Sequence, residues 1–291
     1  MALFVLSLLE KKQGTAPSPP PKERQERRPA PAKKDAHVKA EKKKPGVPGG
    51  KGEVSPPPVP LPPEKGRPSV SIAILIDDIG QNMDVLDDLL TINAPLSFAI
   101  LPHQQYSLQA AEKLQRQKRE ILLHLPMEPH SFPQSNPGKG ALFLRMTDKE
   151  IQQQLKNNLQ SVPHIIGVNN HMGSRFTENE EKMFVVMEEL KKQGLYFVDS
   201  RTSGLSKAKK AADRTGIRFM ARKIFIDNEQ SYETSLQNIM HVKQEIAKGD
   251  QEPVLLIGHP YPTTVSSIRD AVPLLREQGI EIVPITKIIS P

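Results

Sequence analysis

The sequence predicts an α/β domain from about Ser69 to Ile289, a distorted (β/α) barrel of seven or eight units behind a disordered Pro/Lys-rich N-terminal segment. Three observations predict it. Apolar, β-rich runs alternate with amphipathic windows of helical period, the pattern of repeated βα units on a mostly parallel sheet. The texture of the chain changes abruptly at Ser69. Polar residues gather at the C-terminal ends of the apolar runs, the face where parallel α/β folds carry their sites. A doubly wound open sheet is the alternative arrangement of the same elements.

Residues 1–10 begin with the apolar stretch Met1–Leu9, far shorter than the roughly 20 residues that span a bilayer. The stretch lacks the positive n-region and cleavage site of a signal peptide. It reads either as a frayed terminus or as the remnant of a membrane anchor. Residues 11–68 form a linker holding 15 of the 28 prolines and lysine clusters such as Lys42-Lys43-Lys44. Its apolar content is too low to offset the entropy of ordering, so it reads as a spacer with polyproline II stretches. A stiff basic tether of this kind suits a protein held off a membrane or wall, in the cell envelope, periplasmic or extracytoplasmic.

Charge follows the same division. Residues 1–69 contain 15 of the 40 Lys and Arg and 7 of the 33 Asp and Glu, a net of +8, which leaves −1 for residues 70–291. The basic character belongs to the linker, and a nucleic-acid partner is not expected, because such a fold carries its own basic face. There are no cysteines, so any metal must be held by His, Asp, Glu or water.

Within 69–291 the expected strands are Val70–Ile76, Leu96–Leu101, Glu120–Leu125, Ile165–Asn169, Tyr196–Asp199, Lys223–Ile226, Val254–Gly258 and Ile280–Pro284. Helical windows lie between them near Met83–Thr91, Tyr106–Arg119, Asp148–Gln160, Glu178–Gln193, Lys207–Thr215, Tyr232–Lys248 and Val265–Gln278. Thr147 with Glu150, and Thr177 with Glu180, read as capping boxes. Gly194 and Gly279 stand where helix C-caps belong.

The strand ends carry the chemistry. The first ends in Asp77-Asp78; one of two adjacent carboxylates can bind a cation while the other serves as a base, and the cation relieves their repulsion. His124 is followed by Glu128, two side chains that suit a divalent ion. His171 follows Asn169-Asn170 and precedes Met172-Gly173-Ser174-Arg175, a turn with donors for an oxyanion or sugar hydroxyls. Asp199 and Arg201 end the fifth strand, and Asp227 the sixth. His259 follows the apolar run Val254–Ile257, a placement that suits a general acid. His103 is a secondary candidate, and His130, His164 and His241 carry less signal. Neither a Gly-rich phosphate loop nor a Walker motif is present.

The stretches Ile76-Asp77-Asp78-Ile79-Gly80, Leu123-His124-Leu125-Pro126-Met127-Glu128-Pro129, Gly167-Val168-Asn169-Asn170-His171-Met172-Gly173-Ser174, Phe197-Val198-Asp199-Ser200-Arg201-Thr202 and Ile257-Gly258-His259-Pro260 resemble the divergent polysaccharide deacetylases, a branch related to the NodB-type carbohydrate esterases. Members of the branch often carry an N-terminal membrane segment and a Pro-rich linker. The resemblance implies a distorted barrel, a divalent metal, usually zinc, and an N-acetylated glycan substrate. It implies Asp77 as base, Asp78 and His124 as metal ligands, and His259 as acid. The wider family places a second histidine where this chain has Glu128, so either Glu128 or His171 completes the metal site. Asn170, Ser174, Arg175, Asp199 and Arg201 are then substrate-binding or positioning groups. The implied reaction is metal-dependent removal of N-acetyl groups from an envelope or extracellular polysaccharide. The alternative is an inactive domain of the same fold that binds glycan or an envelope partner.

Overall fold

The strands follow in chain order as β1 (Val70–Ile79), β2 (Ser97–Ile100), β3 (Ile121–Met127), β4 (Gly167–Met172), β5 (Tyr196–Asp199), β6 (Phe219–Ala221), β7 (Ile224–Phe225), β8 (Val254–Gly258) and β9 (Ile280–Ile282). The helices are α1 (Met83–Leu90), α2 (Ser107–Arg116), α3 (Asp148–Ser161), α4 (Glu180–Lys192), α5 (Ala208–Thr215), α6 (Tyr232–Met240), α7 (Val242–Ala247) and α8 (Pro262–Glu277). This computed structural model describes residues 70–248 and 253–289. The apolar N-terminus, 1–10, and the linker, 11–68, lie outside the described residues.

All strands pair in parallel, in the order β6-β5-β4-β3-β2-β1-β8-β7, with β9 beside the start of β1. The two ends of this path are joined by only Arg222 and Lys223. The Arg222 N–H donates to Asp199 O on one side (3.0 Å), and the Lys223 N–H donates to Leu255 O on the other (2.9 Å). Neighbouring peptide groups can reach opposite sheet edges only if the sheet curls until the edges nearly meet. The result is the distorted barrel, with an irregular seam between β6 and β7.

The seam accounts for one departure from the sequence reading. The run Phe219–Phe225 has no turn signal, yet it serves two edges: β6 extends the β5 side and was not anticipated, while the anticipated strand Lys223–Ile226 shrinks to Ile224–Phe225. The capping box of Thr147 and Glu150 is present at α3. The second is not, because Asn179 caps α4 by accepting from Lys182 N (3.0 Å), and buried Thr177 donates to Gly173 O. Gly194 and Gly279 follow helix ends with φ of +72° and +73°, a conformation glycine adopts without steric cost. The window Tyr232–Lys248 breaks at His241 into α6 and α7.

Alternation along the strands sorts the core into two layers. Ile72, Ile74, Ile76 and Val168 face the helices. Ala73, Leu75, Ala99, Leu122, Tyr196, Val198, Leu255 and Ile257 fill the barrel, and Ile285 and Ile289 pack against them. Gly167 leaves room for the Tyr196 ring, since a Cβ there would lie 2.4 Å from it. Two residues further along these inward rows the side chains turn polar: Leu75 leads to Asp77, Leu122 to His124, Val198 to Ser200 and Ile257 to His259.

Candidate metal centre

Strand register brings the polar ends together. Ile76 pairs with Gly258, which sets Asp77 beside His259, and His124 pairs with Asn169. Asp78 would face the helices if β1 continued regularly. Instead Asp78 takes φ +55° and the β1–β2 register shifts between Ile76 and Ile79. Aspartate tolerates this left-handed conformation better than most residues. Both carboxylates therefore reach the same imidazole: His124 Nε2 lies 3.6 Å from Asp77 Oδ2 and 3.2 Å from Asp78 Oδ1. His171 Nδ1 lies 3.0 Å from the same Asp78 oxygen and 3.1 Å from His124 Nε2. One ligand atom each from Asp78, His124 and His171 lies within 4.8 Å of the others.

The surrounding hydrogen bonds fix which atoms face inward. Asn169 Oδ1 can only accept, so at 3.0 Å it receives the His124 Nδ1–H and leaves a lone pair on Nε2. The Asn169 amide donates to Asp77 Oδ1 (2.8 Å) and to Ser200 Oγ (3.1 Å). Across the site, Asp227 is buried and accepts from the His259 backbone N–H (2.6 Å), the Thr264 hydroxyl (2.7 Å) and His259 Nδ1 (3.0 Å). His259 Nε2 is thereby aimed at the centre, 3.9 Å from Asp78 Oδ2.

These contacts set the charges. Burial pushes the Asp77 carboxyl up, and His124 and His259 only partly offset it. Burial acts on Asp78 in the same direction, but the adjacent imidazoles outweigh it and hold this carboxyl well below the usual range. Burial lowers His259, yet the bond to Asp227 and the charges of Asp77, Asp227 and Asp78 raise it to about 9.

A divalent cation fits this donor set. Asp78 Oδ1 is buried and receives no hydrogen bond of good geometry, although two ring nitrogens stand within 3.2 Å. A carboxylate oxygen facing an imidazole lone pair needs a proton or a cation between them. One oxygen and two nitrogens, without thiolate, suit zinc or a similar ion with a position left open. A depression of about 310 Å³ opens beside Asp78, lined by Ile79, Val85, Pro260 and Tyr261.

The remaining anticipated residues take other places. Glu128 is outside the three-residue group: its carboxylate accepts from Leu144 N (2.7 Å) and from Arg175 Nη1 (2.8 Å). Ser174 Oγ accepts from His130 N (3.0 Å). Buried Asn170 staples β4 to the next turn, accepting from Ser200 N (2.9 Å) and donating to Met172 O (2.8 Å). Asp199 is buried and takes the Arg201 N–H (2.8 Å); Arg201 is exposed. His103 bonds Asn158, and His130, His164 and His241 pair with Glu178, Glu112 and Glu245, all away from the centre. The sequence reading assigned no role to Asn169 or Asp227. Asp227 carried the same signal as Asp77, an aspartate closing an apolar run.

A family model described as divergent polysaccharide deacetylase matches residues 74–289. An uncharacterized protein of Escherichia coli (strain K12), YibQ, is 34% identical over 201 residues, which are 69% of this chain and 62% of that protein. This chain therefore spans less than two thirds of that relative's length. An uncharacterized protein of Haemophilus influenzae is 30% identical over 201 residues, 68% of this chain and 69% of that one. The crystal structure of an uncharacterized protein from Agrobacterium tumefaciens C58 shares the fold, with a TM-score of 0.71, 21% identity, and coverage of 77% of this chain and 91% of that chain.

Proposed function

We propose that this chain, which belongs to the divergent polysaccharide deacetylase family, is a metal-dependent hydrolase that removes N-acetyl groups from an envelope or extracellular glycan. The observation that carries this reading is the convergence of Asp78, His124 and His171, with Asp77 on one side and His259 on the other. Asp78, His124 and His171 would hold a divalent ion, zinc by preference, which supplies Lewis acidity toward the acetyl carbonyl and a bound water. Asp77, held by Asn169 through one oxygen, turns its other oxygen toward this centre and accepts the water's proton. His259, oriented and charged by Asp227, donates a proton to the departing amine.

Glu128 serves as an anchor for Arg175 and the loop before α3. We assign residues 69–291 to the catalytic domain and residues 11–68 to a tether that keeps it in the envelope. Among the described residues, no helix is long and apolar enough to cross a membrane. The test is acetate release from acetylated chitooligosaccharide or peptidoglycan by purified protein loaded with Zn²⁺, Co²⁺ or Mn²⁺. Release that disappears in Asp78→Ala supports the reading. Absence of both metal binding and release, with Asp78→Ala behaving as wild type, overturns it. Metal content without turnover, with glycan affinity intact in Asp77→Asn, marks the inactive binding domain instead.

A further inference from the structure

A second cavity, of about 490 Å³, lies beyond β5, between the turn after that strand, the start of α5 and β6. Its apolar wall is Ile217, Phe219 and Met220, and its polar side includes Arg201. That volume is within the range of small-molecule sites. Arg201 stands at φ +50°, a left-handed conformation that a non-glycine residue keeps only where its surroundings over-determine it. The surroundings do so. Asp199 Oδ1 accepts the Arg201 N–H (2.8 Å), and Asn170 Oδ1 accepts the preceding N–H (2.9 Å). Arg222 donates to the carbonyls of Ser200 (2.7 Å) and Arg201 (3.1 Å), and Thr202 Oγ1 donates to Met172 O (2.8 Å).

Five hydrogen bonds thus fasten the turn Ser200–Thr202, two of them on the backbone of the strained arginine itself, while its guanidinium enters no hydrogen bond or ion pair among the described residues. The other charges on this wall are committed: Lys209 pairs with Asp213, Lys223 has a partner of its own, and Asp199 is buried and spent on the turn. The turn is also wired to the metal centre, because Ser200 Oγ accepts from the Asn169 amide that holds Asp77.

We propose that this cavity is a subsite for a carboxylate-bearing sugar of the glycan, with Arg201 as its anchor. The planar guanidinium takes a carboxylate through two parallel hydrogen bonds, and the Ile217–Phe219–Met220 wall takes the apolar face of the ring. The inference rests on the deacetylase reading for the glycan, and it narrows the substrate class to N-acetylated glycans with acidic neighbouring units.

The experiment is calorimetric titration of the full chain with two tetrasaccharides. One is neutral tetra-N-acetylchitotetraose; the other carries lactyl-ether carboxylates on alternate sugars. The acidic ligand is expected to bind at least tenfold more tightly, an advantage that shrinks with added salt. Arg201→Gln reduces its affinity to that of the neutral ligand, and Arg201→Lys restores part of the difference. Methyl esterification of the ligand removes the preference in the wild-type protein, and the partial loss in Arg201→Lys assigns it to this residue even if Arg201→Gln fails to fold. Equal wild-type affinities, or a preference that survives either Arg201→Gln or esterification, overturn the subsite. Acetate release without acidic preference sinks only this inference. Arg201-dependent preference without acetate release sinks only the deacetylase reading.

Discussion

The two halves of the barrel interior are built by the same strands and the same inward-facing rows, yet they have opposite chemistry. The lower half is Ala73, Leu75, Leu122, Val198, Leu255 and Ile257, backed by Ile285 and Ile289. The upper half is Asp77, His124, Asn169, Ser200 and His259, joined by Asp78 and His171 at the rim. The change occurs within one inward step on each strand. The lower layers remove apolar area from water and supply rigidity. The upper layer accepts the cost of buried charge, which is offset only where every group has a partner. Stability and function are thus segregated by height along common strands, and substitutions should separate them.

The largest effect is expected at the rim. Asp78→Ala removes the only oxygen ligand of the three, so zinc binding by calorimetry and acetate release both fall to background. Metal-free Asp78→Ala should melt below metal-free wild type at neutral pH, because a carboxylate that two imidazoles hold below its usual range contributes stability to the fold. Asp77→Asn is next: metal is retained, while kcat drops about 10²- to 10⁴-fold, the usual scale for a positioned base. Leu255→Ala tests the other half. It should cost about 2–5 kcal/mol of unfolding free energy in a denaturant titration, by lost burial and a residual cavity. Metal affinity of the fraction still folded should be unchanged.

Asn169 sits between the two regimes. Asn169→Leu loses both the His124 and the Asp77 contacts, and zinc affinity should fall about 10–100-fold, the scale for groups that orient metal ligands. Asn169→Asp still accepts from His124 but cannot serve Asp77 as a neutral amide does, so it should hold metal better than Asn169→Leu while losing kcat. The smallest effect is a shift in pH dependence. His259 must be protonated to act as an acid, and its partners raise it to about 9, so activity should fall on an alkaline limb. Asp227→Asn removes one of those charges and moves the limb to lower pH. The linked stability has the matching sign. A folded value raised from 6.5 contributes fully below that pH and fades as pH rises through about 9. In Asp227→Asn this pH-dependent part should shrink.

The sequence made the alternation, the parallel sheet and the polar strand ends legible, because apolar periodicity and turn chemistry are local signals. It cut β1, β3 and β4 short: Val70–Ile76, Glu120–Leu125 and Ile165–Asn169 run on to Ile79, Met127 and Met172. Apolar pattern ends where the site begins, so a reading based on it truncates strands just there. Asp77 and Asp78 meet at one imidazole, as their place at a strand end suggested, but by a route the sequence does not show. Regular alternation separates them, and only the left-handed turn at Asp78 with its shifted register reunites them. The seam at Arg222-Lys223 and the roles of Asn169 and Asp227 depend on partners distant in the chain, 22 residues for Arg222–Ser200 and more for the Asn169–Asp77, Asn169–His124 and Asp227–His259 contacts. No local pattern encodes those.

In the proposed reading Asp78, His124 and His171, rather than Glu128, hold one divalent ion. The most direct test is metal analysis of purified wild type, His171→Ala and Glu128→Gln after zinc loading and removal of excess. One equivalent of zinc is expected in wild type and in Glu128→Gln, and none in His171→Ala. Zinc retained by His171→Ala but lost from Glu128→Gln, or absent from wild type, would contradict it.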